Sequence, residues 1–434
     1  MEAKTAARGE DLDFSPAGHI YATHGLHAFA ARCPPPLVDW AITKYTSPGD
    51  VVLDPMVGSG TTLVEACLLG RAASGAEIDP LARLVAKAKA TPVDPDALED
   101  ANVVIGGLME RDGLDASWRP QLCGWDRWFR EDVAQDLSRL RDAISRIDRG
   151  DVQDLLWAAF SSLIVARTSV ANAYDLVHSR HHYRPWKESP DVPRRFAERL
   201  RGIRRMMADY QARLLEANGT TDVQVEMVGD DARHLPLGNA AADLVFTSPP
   251  YCSALDYTRA HIFAVGWMND VLGIDVDEYR QLGRKYVGSE RAPLAEASKQ
   301  HPLPPEIGHQ GVDTIARKLR NDPKRAWIVH RYFRDMLKVI SECVRVVRPG
   351  GRVVLVVCPS NIRKVRIATH EIFADLAQQL PGQPVEVEAL FERTIHDRRR
   401  VMPYLETAFG ERMRTEYVLV LRRDGGGRER NIER

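Results

Sequence analysis

The sequence lacks the features that would put it in a membrane, outside the cell or in a fibre. Its longest aliphatic runs, such as Val353 to Cys358, fall far short of the ~20 residues that a membrane helix needs. The first 14 residues carry four acids and no apolar core, so we expect no secretory signal. With 434 residues, 44% of them hydrophobic and 27% charged, the chain has a globular composition and room for several domains or large insertions.

Two further absences concern metals and charge. The six cysteines stand singly, without a CxxC or Cys/His spacing, which predicts reduced thiols in a cytoplasmic protein. His178, His181 and His182 lie close together, but no further ligand completes a site, so we predict no metal. The net charge is −1, and any nucleic-acid contact must therefore come from local basic patches.

Strand and helix patterns alternate along the chain, with two long interruptions. Predicted strands cover residues 51–53, 73–76, 223–228, 242–246, 352–357, 386–390 and 416–421. Predicted helices cover 61–69, 80–89 and 327–346, with a turn at 348–351. The alternation predicts an α/β fold, a Rossmann-like doubly wound, mostly parallel sheet with helices on both faces. In such a sheet, ligands bind at the carboxyl ends of the strands.

The interruptions divide the chain into a catalytic domain and two insertions. We predict a catalytic domain from segments 15–93, 221–251 and 327–423. Apolar residues at helical spacing predict a large helical insertion over 94–220, a candidate for DNA binding and target recognition. A second, smaller insertion over 252–326 is expected near the active site. The tail 424–434 is rich in Gly, Arg and Glu, and we expect it to be disordered.

The first informative segment runs from Asp54 to Thr62, after the first strand. Gly58 and Gly60 let the backbone turn tightly and approach a ligand, although a plain strand-to-helix turn has the same appearance. Because no Gly-Lys-Ser/Thr follows, it is not a phosphate-binding Walker loop. Glu77 and Asp231 follow the next two strands, where they can accept the ribose hydroxyls and the adenine amine of a nucleoside. Asp54 and its loop would then face an amino-acid ammonium group, while helix capping is the alternative role for the other two acids.

The second informative segment, Thr247-Ser-Pro-Pro-Tyr251, also follows a strand. Its two prolines hold the chain extended, so that the Ser248 hydroxyl and the Pro249 carbonyl can point at one target group. Two fixed acceptors favour a pyramidal exocyclic amine on a nucleobase, whose freed lone pair can attack a methyl sulfonium directly. Tyr251 offers a ring on which an extruded base can stack. A proline-rich turn is the alternative.

These segments resemble those of the DNA amino-methyltransferases that use S-adenosylmethionine, over Tyr21–Pro80 and residues 221–421. The segment from His24 to Pro35 resembles the part that closes over the methionine end of the cofactor. The resemblance implies a class I methyltransferase fold, S-adenosylmethionine as cofactor and double-stranded DNA as substrate. The implied catalytic residues are Ser248, Pro249, Pro250 and Tyr251, and the implied cofactor contacts are His24, His27, Asp54, Pro55, Gly58, Gly60, Thr61, Glu77, Asp79, Asp231, Ala232 and Thr247.

Within that family, Ser-Pro-Pro-Tyr is more typical of methylation at cytosine N4, and Asn- or Asp-Pro-Pro-Tyr of adenine N6. Ser248 therefore favours cytosine N4, while adenine N6 and an RNA amino-methyltransferase stay open. A catalytically inactive nucleic-acid-binding protein is the alternative from another class. Cytosine C5 methylation needs a Pro-Cys nucleophile, and the chain contains no Pro-Cys. A restriction endonuclease is a candidate partner.

Basic and aromatic residues suggest where DNA is held. Residues 178–207 contain nine Lys or Arg and three acids, although Arg194 to Arg205 also fit a solvated helix face. The predicted nucleic-acid contacts are Arg180, Tyr183, Arg184, Trp186, Arg259, Arg398, Arg399 and Arg400. The segments Asp256–His261 and Tyr286–Glu290 resemble those that follow the catalytic motif in the cytosine-N4 type; they either shape the base pocket or pack the insertion.

Overall fold

A computed structural model describes residues 12–14, 20–30, 32–165, 169–173, 183–252, 257–291, 303–394 and 415–425. The strands are β1 Val51–Asp54, β2 Ala72–Ala76, β3 Val225–Gly229, β4 Ala242–Thr247, β5 Val347–Val357, β6 Ser360–Ile362, β7 Val365–Ile367, β8 Val385–Thr394 and β9 Thr415–Arg423. The helices are α1 Pro35–Tyr45, α2 Thr61–Leu68, α3 Pro80–Ala90, α4 Pro95–Met109, α5 Trp125–Trp128, α6 Glu131–Ser145, α7 Gly150–Ile164, α8 Val192–Asn218, α9 Tyr257–Met268, α10 Val276–Leu282, α11 Gln310–Lys318, α12 Pro323–Val346 and α13 Thr369–Gln378.

Seven strands form one sheet in the order β3-β2-β1-β4-β5-β9-β8. Neighbours from β3 to β5 are parallel, and β9 runs antiparallel to both β5 and β8. The chain moves outward from β1 to β3 on one side and from β4 to β5 on the other, so the strand order reverses between β1 and β4. This order confirms the predicted Rossmann-like, doubly wound sheet of the class I methyltransferase type.

Alternating side chains of the central strands enter two cores, one on each face of the sheet. In β4, Leu244 and Phe246 point into the first core and Val245 into the second. The first core holds side chains of α1 to α4 and α6 to α10, and the second holds side chains of α11 to α13. This two-sided burial explains why the central strands carry the apolar runs Val51–Leu53, Leu244–Phe246 and Val353–Val357.

The helices between residues 95 and 218 share their core with the sheet. Helix α8 buries Phe196, Leu200, Ile203, Met207 and Tyr210 at helical spacing, and these side chains belong to the first core. Gly219 in the left-handed conformation ends this helix. This region contains helices α4 to α8, whose side chains pack in the same core as β1 and β2.

Two predictions around α12 are wrong, one for the segment that follows the helix and one for the residue at which the helix begins. Residues 348–351, predicted as a turn, lie within β5: Ala242 pairs with Val347 and Leu244 with Arg352, so β5 bulges against β4. Gly350, at φ +77°, permits this irregularity. Helix α12 begins at Pro323 rather than near 327, because Asp322 caps it and proline suits the first turn.

Gly60 is a position where the fold does not readily accept a side chain. Its φ is +84°, and an added Cβ would stand 2.8 Å from the Cα of Ala86 in α3. Gly60→Ala should therefore lower the free energy of unfolding by roughly 1–3 kcal/mol, measured by urea denaturation. At Gly202 on α8, an added Cβ would have no neighbour within 4 Å. The free energy of unfolding of Gly202→Ala should therefore equal or exceed that of the wild type. Equal losses in both variants would contradict this packing argument.

Candidate active site

The loop between β1 and α2 is held in shape by the carboxylate of Asp54. One of its oxygens accepts the backbone N–H of Met56 at 3.1 Å, and the other accepts the Thr62 hydroxyl at 2.6 Å. Burial raises the pKa of Asp54 to about 6, while the hydroxyls of Thr62 and Thr247 favour its ionised form. Asp54 therefore fixes the shape of the loop through these hydrogen bonds.

The N-terminus of α2 lies at the end of this loop and can bind an anion. Gly60 occupies the N-cap position, where no side chain caps the helix. The first helical turn carries N–H groups without intrahelical partners and a partial positive charge, which suits a carboxylate. The ring of Phe29 lies 3.5 Å from the point that a Cβ on Gly58 would occupy. The predicted contacts Pro55 and Thr61 are buried in the same loop.

Glu77 joins the end of β2 to this loop. Its carboxylate accepts the N–H of Gly58 at 2.8 Å and the N–H of Asp79 at 3.0 Å, and its own N–H binds the carbonyl of Gly229 at the end of β3. Burial raises the pKa of Glu77 to about 7. The structure thus brings Gly58 and Glu77 together, and each carboxylate oxygen keeps a lone pair for a further donor.

Asp79, predicted as a cofactor contact, is a structural clamp instead. It caps α3 by accepting the N–H of Leu81 at 2.9 Å, and its other oxygen accepts His261 Nδ1 and the Tyr279 hydroxyl, each at 2.8 Å. Burial acts to raise the pKa of Asp79, but His261 and Tyr279 outweigh it and hold the pKa below its usual value. Asp79 has 1% of its surface exposed. It connects α9, through His261, and α10, through Tyr279, to the start of α3.

Asp231 lies beyond β3 and is already paired within the chain. Both of its oxygens accept hydrogen bonds from the guanidinium of Arg233, at 2.8 and 2.9 Å, and Arg233 also reaches Asp335 at 3.4 Å. Burial acts to raise the pKa of Asp231, but Arg233 outweighs it and lowers the pKa. The Asp231 side chain remains 34% exposed, so it can accept a further donor, and its neighbour Ala232 is buried.

The contacts of His24 and His27 do not support their predicted contact with a cofactor. His24 Nε2 hydrogen-bonds the buried carboxyl of Glu65 at 2.6 Å, and burial lowers the pKa of His24 well below its usual value. His27 Nδ1 donates to the carbonyl of Ala28, and its Nε2 lies 2.9 Å from the Ser161 hydroxyl. Both residues are buried, and they connect the upstream segment to α2 and α7.

The Thr247–Tyr251 segment follows β4, which pairs directly with β1. Thr247 is fully buried, and Ser248 donates a long hydrogen bond of 3.5 Å to the carbonyl of Val356 in β5. The carbonyl of Pro250 accepts the Tyr332 hydroxyl of α12 at 3.0 Å. The segment is thus braced from β5 and from α12, one strand away from the Asp54 loop.

Tyr251 is fixed at its hydroxyl. The hydroxyl donates to Glu416 on β9 at 3.1 Å and accepts the Cys358 thiol at 3.2 Å. The buried Arg393 of β8 lies 3.5 Å from the same Glu416 carboxylate. Burial raises the pKa of Tyr251 well above its usual value, so the ring stays neutral. These contacts orient the ring at the end of β4.

Three side chains of the site were missed or left unassigned in the sequence. Tyr257 stacks on Phe29 with ring centroids 5.6 Å apart, and burial together with the charge of Glu77 raises its pKa to about 12. Phe29 and Tyr257 lie inside segments that the resemblance covers, so that signal marks them. Glu416 lies 165 residues beyond Tyr251, and no local pattern indicates their contact.

The predicted nucleic-acid contacts differ in their exposure and in their partners within the chain. Trp186 donates its Nε1–H to the carbonyl of Ala171 and has the guanidinium of Arg195 4.7 Å above its ring, which argues against stacking on a base. Tyr183 is 37% exposed, and Arg184 and Arg259 are exposed. Arg180, Arg398, Arg399 and Arg400 lie outside the described residues.

The described part of the chain contains neither a metal-ligating cluster nor a membrane-spanning helix. There, no group of three or more His, Cys, Asp or Glu side chains is arranged to hold a metal ion. None of the described helices is both long enough and apolar enough to cross a membrane.

The clamp at Asp79 gives a stability prediction. Asp79→Ala leaves His261 and Tyr279 buried without their acceptor, so the free energy of unfolding should fall by about 3–5 kcal/mol at neutral pH. Because the folded-state pKa is lowered, this stabilisation is present above the unfolded pKa of 3.8 and is lost as the pH falls through the folded value. Asp277→Ala, which removes an exposed partner of Arg280, should change stability by less than about 0.5 kcal/mol. Similar small losses in both variants would contradict the clamp.

The chain is similar in sequence to known DNA methyltransferases. A family model for DNA methylases of the N6 and N4 type matches residues 8–87. The type II methyltransferase M.MvaI of Kocuria varians is 26% identical over 374 residues, which are 82% of this chain and 80% of that protein. The type II methyltransferase M.BsoBI of Geobacillus stearothermophilus is 21% identical over 403 residues, 80% of this chain and 76% of that protein.

A solved structure of an S-adenosylmethionine-dependent methyltransferase from Methanosarcina mazei covers 88% of this chain at 10% identity, with 97% of that chain covered and a TM-score of 0.31. The fold assignment rests on the order of the strands in the sheet and not on this similarity. The family match and the two type II methyltransferases together support a DNA amino-methyltransferase.

Proposed function

We propose that this chain transfers a methyl group from S-adenosylmethionine to the exocyclic N4 amine of a cytosine in double-stranded DNA. One observation carries the proposal: β1 and β4 are parallel neighbours, so the Asp54–Gly60 loop and the Thr247–Tyr251 segment leave the same edge of the sheet side by side. A donor held by the first and a base held by the second would then meet.

The residues around the loop fit the cofactor. The uncapped start of α2 offers N–H groups to a carboxylate, Asp54 offers negative charge to an ammonium group, and Glu77 offers acceptors to ribose hydroxyls. Asp231 and Ala232 beyond β3 are suited to an adenine. When bound, the cofactor supplies a methyl group made electrophilic by its sulfonium.

The catalytic segment would prepare the nitrogen for attack. Because the Ser248 proton points to the carbonyl of Val356, lone pairs of its oxygen remain to accept an amine proton, and the carbonyl of Pro249 accepts the other. Two acceptors favour the pyramidal nitrogen with a free lone pair. Fixed alignment of the reacting atoms supplies much of the acceleration, with well-oriented pairs worth about 7–11 kcal/mol.

The target base must leave the duplex to reach this edge of the sheet. The ring of Tyr251, oriented by Glu416 and Cys358, is the stacking surface that we assign to the extruded base. No group of the chain forms a covalent bond in this scheme. A restriction endonuclease as partner and a cytoplasmic location remain predictions.

The product identifies the acceptor. Purified protein should be incubated with unmethylated DNA and methyl-labelled S-adenosylmethionine, followed by nuclease digestion and mass spectrometry of the nucleosides. We expect N4-methylcytidine in its deoxy form. If the label is found in N6-methyladenine, the target is adenine and not cytosine. If only an RNA substrate becomes labelled, the DNA assignment is overturned. Methylome sequencing of cells that express the chain would then give the target sequence.

Ser248 separates catalysis from cofactor binding. Ser248→Ala removes an acceptor for the amine, and kcat should fall by about 10²-fold or more while calorimetry shows unchanged affinity for S-adenosylmethionine. Tyr251→Phe keeps the stacking ring and loses only its hydroxyl contacts, so it should retain more activity than Tyr251→Ala. Full activity in Ser248→Ala would remove the catalytic assignment.

Glu77 should make cofactor binding depend on pH. Its carboxylate accepts hydrogen bonds best when ionised, and burial raises its pKa to about 7. Affinity for S-adenosylmethionine, measured by calorimetry, should therefore fall as the pH is lowered through about 7, and further through about 6 as Asp54 is protonated. In Glu77→Gln the step near 7 should disappear. The same step in wild type and variant would contradict the role of Glu77.

A further inference from the structure

A basic cleft of about 790 Å³ lies between α9, α10 and the start of α12, within the second insertion and next to it. Five of its side chains are basic, and all five are exposed: Arg259, Arg280, Arg284, Arg291 and Lys324. Of the five, the sequence marked only Arg259 as a contact for nucleic acid. The concentration of positive charge is notable in a chain whose net charge is −1.

The described residues that line the cleft include five basic side chains and one acidic side chain. Glu290 is the one acidic residue among the described residues that line it, and Glu290 forms an ion pair with Arg325. Arg280 has a partner in Asp277, an exposed residue of the same helix. Exposed ion pairs of this kind are weak and exchange readily for another anion.

The walls of the cleft are attached to the catalytic segment. Helix α9 begins at Tyr257, six positions after Tyr251. Arg331 of α12 donates to the carbonyl of Arg284, and the next residue, Tyr332, donates to the carbonyl of Pro250. The cleft and the catalytic segment therefore share the support of α12.

Several arginines of α8, the other candidate surface, already have partners within the protein, although those ion pairs are exposed as well. Arg194 pairs with Glu198, Arg204 with Asp96, and Arg213 with Asp209. The Arg195 guanidinium covers Trp186. Arg201 and Arg205 of the same helix are exposed.

We propose that the cleft between α9, α10 and α12 binds phosphates of the DNA strand that carries the target base, and that α8 contributes little to DNA binding. The inference rests on the proposed function, because its partner is the DNA substrate. Arginine and lysine on three separate elements can contact successive phosphates of one strand, while the neighbouring catalytic segment receives the extruded base.

The test compares two double variants that each remove two exposed positive charges. Arg284→Gln with Lys324→Gln alters the cleft, and Arg201→Gln with Arg205→Gln alters α8. Binding to a fluorescent DNA duplex should be measured by anisotropy at several salt concentrations. The cleft variant should bind on the order of tenfold more weakly, and the slope of log K against log salt should decrease in magnitude by about 2. The α8 variant should match wild type.

Unchanged affinity and slope in the cleft variant, or an equal loss in the α8 variant, would overturn the proposal. Calorimetry with S-adenosylmethionine and an unfolding curve check that both variants are folded. The nucleoside product of the wild type reports on the proposed function separately: if DNA binds through the cleft but no cytosine is methylated, the function is wrong and the cleft stands. A cleft variant that loses binding to an RNA duplex but not to DNA would also overturn the proposal.

Discussion

The parallel pairing of β1 with β4 is the constraint on which the rest of this structure depends. Leu53 lies beside Val245, so Asp54 and Thr247 end their strands at the same edge of the sheet. The strand order reverses at this point, which is where open α/β sheets in general bind their ligands. Two segments 190 or so positions apart in the chain thereby become neighbours through the backbone hydrogen bonds of two short strands.

Contacts from the second insertion and from the surrounding elements hold this edge of the sheet in place. Asp79 fastens α9 and α10 to the start of α3, and Phe29 and Tyr257 stack beside the Gly58 turn. On the other side, Glu416 and Tyr332 hold the Thr247–Tyr251 segment from β9 and α12. Catalysis by alignment needs such rigid support, because small displacements of the reacting atoms cost large factors in rate.

The sequence predicts the sheet and the loop well and the supporting contacts poorly. The sequence predicts that Gly58 and Glu77 lie close together because each follows a recognisable strand and parallel strands end at one edge, and the structure joins them by a hydrogen bond. Asp79, His24 and His27 have the residue types of ligand contacts, but their side chains are occupied by buried partners that only the tertiary fold brings near. The Glu416–Tyr251 contact depends on β9 inserting beside β5, which no spacing within either segment specifies.

The central claim is that the two strand-end segments hold the donor and the acceptor of one methyl transfer. The most direct measurement is a crystal structure with S-adenosylhomocysteine and a duplex that contains the methylated sequence. The account predicts the homocysteine sulfur beside the Asp54–Gly60 loop and an extruded cytosine with its N4 within hydrogen-bond distance of Ser248 Oγ and the Pro249 carbonyl. A cofactor bound away from that loop, or a base whose amine contacts neither acceptor, would contradict it.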